Sequence, residues 1–192
     1  MVLPQPFTTA SQAVVSYDYT DIANGLGYSA FYATRQVYST GSEYVLTPQV
    51  LSFGGSPGYV NAAEGANLDY DSPPFNLPQT VRGTALISGT FYRLNAGTQP
   101  TFRLYHYDGT TETPITDLIT CEAVGTNVTK QILMNMPITT EKVFAVGDVI
   151  RMTATISGGS SAYGIDPTGV ATGINGQVLN PLKILIPFAL DL

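Results

Sequence analysis

The chain reads Val149-Ile150-Arg151-Met152-Thr153-Ala154-Thr155-Ile156 in its most regular stretch. Apolar side chains alternate there with arginine and threonine, which is the period of two that a half-buried β-strand requires. The same alternation recurs from Lys130 to Ile138 and from Leu182 to Leu190. In the last stretch Leu185 makes the second face apolar as well, which predicts a strand covered on both faces.

Turn-forming residues separate these predicted strands. Asp108-Gly109 follows an aromatic run and predicts a hairpin, because glycine adopts the positive φ that tight hairpin turns need. Val146-Gly147-Asp148 predicts a second turn directly before the strand at Val149. Between Ile156 and Leu182 the sequence shows no periodicity, which predicts a long loop. Asp21–Gly25 is expected to form a short helical turn.

The first 80 residues differ from the rest because they hold eight of the 12 tyrosines. Short β-prone pieces are predicted at Tyr28–Ala33, Arg35–Ser39 and Glu43–Thr47. Ser72-Pro73-Pro74 excludes a central strand at that point, since proline cannot donate to a strand ladder. This region is therefore expected to add an arm or extra strands to the main body.

The composition supports an all-β fold and excludes several other classes. The 192 residues include 19 Gly and 13 Pro, only 11% are charged, and there is one Cys and one His. Low charge excludes disorder and coiled coils, and a single Cys excludes a disulfide framework or a structural zinc site. We predict an antiparallel β-sandwich of jelly-roll type with an extended Tyr-rich N-terminal region. Residues 1–20 are predicted to be an arm or extra strand and residues 21–192 a single domain.

The net charge of −6 argues against nucleic acid as a partner, because phosphate binding depends on clustered Lys and Arg. No stretch reaches the roughly 20 apolar residues of a membrane span. The segment Met1–Phe7 has neither the basic nor the apolar part of a secretory signal. We expect folding in a cytoplasm, with neither membrane nor nucleic acid as a partner.

The search for catalytic residues centres on His106, the one histidine that can act as a base. It lies between two tyrosines in a predicted strand and is interpreted as a structural histidine. Cys121 is interpreted as a small buried apolar residue. The sequence therefore predicts no catalytic residues, no cofactor and no enzymatic activity.

Asp69 and Asp71 are expected to share one face of an extended segment. Together with Asp18 and Asp21 they offer oxygen ligands of the kind that Ca²⁺ prefers. No established ligand spacing accompanies them, so the favoured interpretation is a pair of solvated or capping carboxylates. Asp148 is interpreted as a turn residue, and no metal site is predicted.

Four segments resemble those of small jelly-roll structural proteins of tailed bacteriophage virions. They are Tyr17–Gly25 with the strand Tyr28–Tyr32, Leu77–Ala85, Phe144–Met152 and Leu185–Leu192. The resemblance implies a β-sandwich with a structural role in the particle, as a capsid decoration or cement protein, a head fibre or a tail part. It implies no catalytic residues.

The function expected from this resemblance is that of a capsid decoration or cement protein located in the virion. Its expected partner is the major capsid protein or another virion protein, and a homotrimer is the first expectation for its oligomeric state. The alternative is a carbohydrate-binding jelly-roll module of a tail or head-fibre adsorption protein, with Tyr105 and Tyr107 as test positions. A hydrolase is the third and least favoured hypothesis.

Overall fold

A computed structural model describes residues 26–38, 41–48, 59–93, 97–123, 129–159, 161–164, 180 and 182–189. Every regular element in these ranges is a β-strand. The strands of the first half are β1 (Leu26–Tyr38), β2 (Gly41–Thr47), β3 (Tyr59–Ala62), β4 (Asn67–Asp71), β5 (Gln79–Val81), β6 (Thr84–Arg93) and β7 (Gln99–Tyr107). Those of the second half are β8 (Glu112–Pro114), β9 (Ile119–Thr120), β10 (Thr129–Pro137), β11 (Lys142–Phe144), β12 (Val149–Ser157), β13 (Ser161–Gly164) and β14 (Lys183–Ala189).

The described strands join into one mixed sheet that curls around a single hydrophobic core. The order along its main path is β3-β13-β6-β14-β1-β2-β4-β12-β7-β8, with β10 beside β6, β9 beside β7, and β5 between β11 and β14. Every pairing is antiparallel except that of β2 with β4, which run parallel at Val45 and Asp71. The all-β prediction is confirmed. The finer prediction of a two-sheet jelly-roll sandwich is not confirmed, since the strands hydrogen-bond into one continuous sheet.

The core is built from the alternate residues that the sequence pattern marks as inward. Ile150, Met152, Ala154 and Ile156 of β12 are all buried, as are Phe102 and Leu104 of the neighbouring β7. Burying each of these side chains other than that of Ala154 contributes about 2 kcal/mol to stability, which offsets the entropy lost when the strand is ordered. The three periodic stretches predicted as strands correspond to β12, β10 and β14.

Strand β14 lies in the middle of the sheet, paired with β1 over Leu26–Tyr32 and with β6 over Leu86–Ser88. Ile184 and Ile186 are buried in the core, as the alternation predicts. Leu185, on the opposite face, is only half-buried, so the predicted covering of that face is incomplete. Both edges of the strand are paired, so its backbone groups are hydrogen-bonded on both sides.

Of three further predictions, one turn is confirmed, and one strand and one loop differ from what the sequence predicts. The Asp108-Gly109 turn is confirmed: Gly109 has φ +90°, and the Asp108 side chain accepts hydrogen bonds from the backbone amides of Thr110 and Thr111. The separate short strands predicted before residue 39 are instead one 13-residue strand, β1. The predicted loop after Ile156 contains β13, which pairs with β3 and β6. The sequence missed β13 because four residues are too few to show a period.

Two predictions concern residues 1–25, which lie outside the described part of the chain. They are the helical turn at Asp21–Gly25 and the N-terminal arm, so the domain division at residue 20 stays a prediction. In the described ranges, no helix is long and apolar enough to cross a membrane.

Candidate functional site

The outward side chains of β4, β12 and β7, with Glu112 of β8, form a continuous polar and aromatic surface, which we call the polar face. Strand pairing aligns Asp71 with Arg151 and Tyr105, and Asp69 with Thr153 and Arg103. Directly opposed residues share one side of a sheet, so these side chains meet across the strands. The polar face consists of Asn67, Asp69, Asp71, Arg103, Tyr105, Tyr107, Glu112, Arg151, Thr153 and Thr155.

Arg151 is the centre of this surface. Its Nε and Nη2 atoms donate to the two carboxylate oxygens of Asp71 at 2.6 and 2.7 Å, and Nη1 donates to Glu112. Its Cζ atom lies 4.1 Å from the centroid of the Tyr107 ring, a cation–π contact. Hydrogen bonds to Asp71 are the main reason that the pKa of Arg151 is raised above its ordinary value, with Glu112 adding to the effect.

We expect Arg151→Lys to lower the free energy of unfolding by about 1 kcal/mol, because lysine keeps the charge but loses the two-pronged bond and the ring contact. A double-mutant cycle with Asp71→Asn, followed by urea unfolding, measures the coupling. The matched control is Lys130 with Glu122, an exposed pair at 2.9 Å, where a smaller coupling is expected. Equal coupling in the two cycles would contradict the central role given to Arg151.

The rest of the polar face is also held by cross-strand hydrogen bonds. Thr153 donates to Asp69 at 2.7 Å and Thr155 donates to Asn67 at 2.7 Å. The prediction that Asp69 and Asp71 share a face is confirmed, and both carboxylates are bonded to β12. Asp18 and Asp21 of the calcium alternative lie outside the described residues. Within the described ranges, no three His, Cys, Asp or Glu side chains cluster as metal ligands do.

His106 points to the opposite side of β7, into the core, and is paired with Asp148. Its Nε2 atom lies 2.6 Å from a carboxylate oxygen of Asp148, and its ring packs edge-on against Phe144 at 4.7 Å. The same oxygen accepts the backbone N–H of Ala145 at 2.7 Å. The bond from His106, with help from Ala145, lowers the pKa of Asp148 despite partial burial.

A hydrolytic dyad needs a nucleophile hydrogen-bonded to its histidine, and none of the described hydroxyls or thiols is bonded to the His106 ring. The Nδ1 atom of His106 is buried and has no hydrogen-bond partner among them. The thiol of Cys121 instead contacts the Met134 sulfur at 3.6 Å, and burial raises its pKa to about 11. A thiol with so high a pKa is protonated near neutral pH and is a poor nucleophile. Cys121 is buried as predicted.

The sequence did not predict the clusters around Arg151 and His106. Asp71 lies 80 positions from Arg151, and Asp148 lies 42 positions from His106. Alternation shows which side of a strand each residue occupies, but it does not show which strand lies beside it. Asp148 follows the turn glycine, as its sequence context indicates, and it also forms a hydrogen bond with His106.

Neither a protein-family model nor a curated protein sequence matches the chain. Similar solved structures include an α-amino acid ester hydrolase (TM-score 0.62, 10% identity) and a CocE/NonD family hydrolase from Staphylococcus aureus (0.60, 6%). A third is an aminopeptidase from the marine sediment archaeon Thaumarchaeota archaeon (0.57, 9%). These alignments cover 83%, 86% and 86% of this chain. The chain spans just over a third of each hydrolase, 36%, 37% and 37%. At such identities the likeness defines a shared fold.

These neighbours contradict the predicted function. The sequence resemblance implied a capsid decoration or cement protein, yet these structures, which share the fold at TM-scores above 0.5, are hydrolases. The predicted role as a structural protein of the virion, and in particular as a capsid decoration or cement protein, is therefore wrong. The resemblance was misleading because its turn-and-strand segments are common to many β-folds. Nothing tests the expected protein partner, the expected location, the homotrimer, or the absence of nucleic-acid and membrane partners, and these stay predictions.

Proposed function

We propose that this chain is the β-domain of a hydrolase and that catalysis is carried out by a separate catalytic unit. That unit is either another part of the same polypeptide or a bound protein. The observation that carries the proposal is the coverage: most of this chain aligns with only 36–37% of each hydrolase. Much of each hydrolase therefore has no counterpart in these 192 residues.

The chemistry of the described residues supports this division of roles. His106 is turned into the core and bonded to Asp148, and no described hydroxyl or thiol is hydrogen-bonded to its ring. A catalytic histidine must instead reach both a nucleophile and the substrate. The β-domain then contributes stability and surface, while bond cleavage takes place on the catalytic unit.

The polar face is the surface we assign to contact with the catalytic unit. Half-buried Tyr105 and Tyr107 lie beside Arg103 and Arg151, and tyrosine and arginine are enriched where proteins bind one another. The cross-strand bonds of Arg151 and Thr153 hold this surface in one geometry before contact. Such preorganisation lowers the entropy cost of association.

The test compares the recombinant chain with the native protein immunoprecipitated by an antibody against this chain. Turnover of a p-nitrophenyl ester and of an amino acid p-nitroanilide is measured on both samples. We expect turnover in the native sample and none above background in the recombinant chain, whose His106→Gln variant should behave identically. Turnover by the recombinant chain that is lost in His106→Gln would contradict the division of roles, and an inactive native sample would contradict the proposal as a whole.

The assignment of the polar face is tested in the same native background. Tyr105→Ala should lower the recovered turnover at least threefold, because it removes a large contact side chain from the polar face. The matched control is Val146→Ala, which shortens a side chain that is 62% exposed in the turn before β12. Equal turnover in the two variants would show that the polar face does not serve the catalytic unit.

A further inference from the structure

One arginine and two tyrosines form a row on the inner face of the sheet. They are Arg35 of β1, Tyr44 of β2 and Tyr70 of β4. Arg35 and Tyr44 are directly opposed in the β1–β2 pairing. The parallel pairing of Val45 with Asp71 places Tyr44 beside Tyr70, and the two rings lie 5.3 Å apart at an angle of 57°. The row thus crosses three adjacent strands at one level.

The inner orientation of Arg35 follows from the alternation along β1. Phe31 and Ala33, at the preceding odd positions, are buried in the core, and Leu46 opposite Ala33 is buried as well. A guanidinium group therefore occupies the next position on the core side. Adjacent strands lie about 4.8 Å apart, so the Cα atoms of Arg35 and Tyr70 are separated by about 10 Å, within reach of the long arginine side chain.

Two hydrogen-bond donors in this row are buried and unpaired. Arg35 Nε and the Tyr70 hydroxyl have no hydrogen-bond partner among the described residues. Tyr70 is 0% exposed, and no described carboxylate lies within ion-pair distance of Arg35. Leaving such donors unpaired in a buried setting destabilises the folded protein, and the cost is larger where the donor is charged. An arrangement this costly points to an acceptor that both donors can share.

At neutral pH the row of Arg35, Tyr44 and Tyr70 offers hydrogen-bond donors. Burial, together with the nearby Tyr44, raises the pKa of Tyr70 far above its ordinary value, so its hydroxyl keeps its proton. Arginine stays charged in proteins. The matching ligand therefore brings negative charge and at least two acceptor oxygens.

We propose that Arg35, Tyr44 and Tyr70 form a binding site for a small organic carboxylate. One carboxylate oxygen accepts from Arg35 Nε and the other from the Tyr70 hydroxyl, and both hydrogen bonds are charge-assisted because the acceptor is ionised. The tilted Tyr44 ring offers an apolar face to the body of the ligand. This site lies on the opposite side of the sheet from the polar face and is independent of the proposed hydrolase role.

The experiment titrates the full chain with benzoate and follows backbone amide shifts by NMR, with benzamide as the uncharged probe of the same shape. We expect saturable one-to-one binding of benzoate and at least tenfold weaker binding of benzamide. Arg35→Gln should weaken benzoate binding at least tenfold and Tyr70→Phe about threefold to tenfold. Arg35→Lys should fall between wild type and Arg35→Gln, since it keeps the charge and loses the planar donor.

Two control variants distinguish binding in this row from binding elsewhere on the chain and from a loss of folding. Arg103→Gln removes a cation from the polar face and should leave benzoate affinity within twofold of wild type. Tyr70→Phe removes only an unpaired hydroxyl, so without ligand it should unfold at the same temperature as wild type or a higher one. Absence of saturable binding by folded wild type, equal affinity for benzamide, or full affinity in Arg35→Gln would each overturn the proposal.

Discussion

Replacing Asp148 by alanine is expected to lower the free energy of unfolding by about 3 kcal/mol, as measured by urea denaturation at pH 7. The side chain accepts from His106 at 2.6 Å and from the Ala145 amide at 2.7 Å. Without it, the buried His106 ring loses its one described polar contact. The lost stability therefore has two parts: the two lost hydrogen bonds, and the His106 ring left buried without a polar partner among the described residues.

The matched control for this change is Asp108→Ala. Asp108 also lies beside a turn glycine and accepts from two backbone amides, but it is exposed and holds no buried partner among the described residues. A much smaller loss is expected there. If the two variants were equally destabilised, the His106–Asp148 pair would contribute no stability beyond that of an ordinary turn aspartate.

The pH dependence follows from the sign of the pKa shift. The pKa of Asp148 is lowered in the folded protein, mainly by His106, so its contribution is complete above the ordinary aspartate pKa near 4. That contribution is lost as the pH falls through the folded-state value. The gap in urea midpoint between wild type and Asp148→Asn should accordingly narrow as the pH falls below the ordinary aspartate pKa of about 4. A gap that does not change with pH would contradict the bond from His106.

Gly158→Ala is expected to cost about 3 kcal/mol, the second large effect, for two separate reasons. Gly158 follows β12 with φ +77°, a conformation that side chains with a Cβ rarely adopt. An added Cβ would also collide with the Gly97 carbonyl group, whose carbon would lie 2.8 Å away. The three atoms nearest to this Cβ all belong to the backbone of Gly97 and Thr98, so no flexible side chain can move aside. Thermal or urea unfolding of the purified variant measures the loss.

Gly65→Ala separates these two reasons. Gly65 has nearly the same φ, +72°, but an added Cβ there would meet nothing within 4 Å. That variant should lose about 1 kcal/mol, the cost of the backbone conformation alone. A loss at Gly158 no larger than that at Gly65 would show that the Gly97 contact relaxes without cost.

Local patterns predicted much of the individual strands and little of their arrangement. Alternation identified the inward residues of β12 and β10, because burial of one face acts on each strand separately. Alternation does not show which strand lies beside which, so the parallel pairing of β2 with β4 could not be predicted. The continuous β1 was predicted as fragments, since polar residues such as Thr34 and Arg35 interrupt its apolar pattern.

The candidate sites show the same division. That Arg151, Asp69 and Asp71 occupy strand faces followed from periodicity, whereas their meeting depends on the pairing of β4 with β12. The row of Arg35, Tyr44 and Tyr70 needs three strands in register, which no local pattern contains. The predicted function rested on turn-and-strand segments that resemble phage proteins. Such segments determine how the chain folds back on itself, and they carry no catalytic or ligand-binding residues.

The central position of β14 determines when the sheet can form during synthesis. Residues 183–189 pair with residues 26–32 of β1, so the ribosome must deliver almost the whole described chain before β1 gains that neighbour. Until then β1 and β6 expose unpaired edges next to apolar side chains, a state that favours association between nascent chains. Contacts so distant in sequence also slow folding, because a long loop must close before they form. A chaperone that shields β1 until β14 has been synthesised would therefore raise the yield of folded protein more than one acting on the β7–β12 pair.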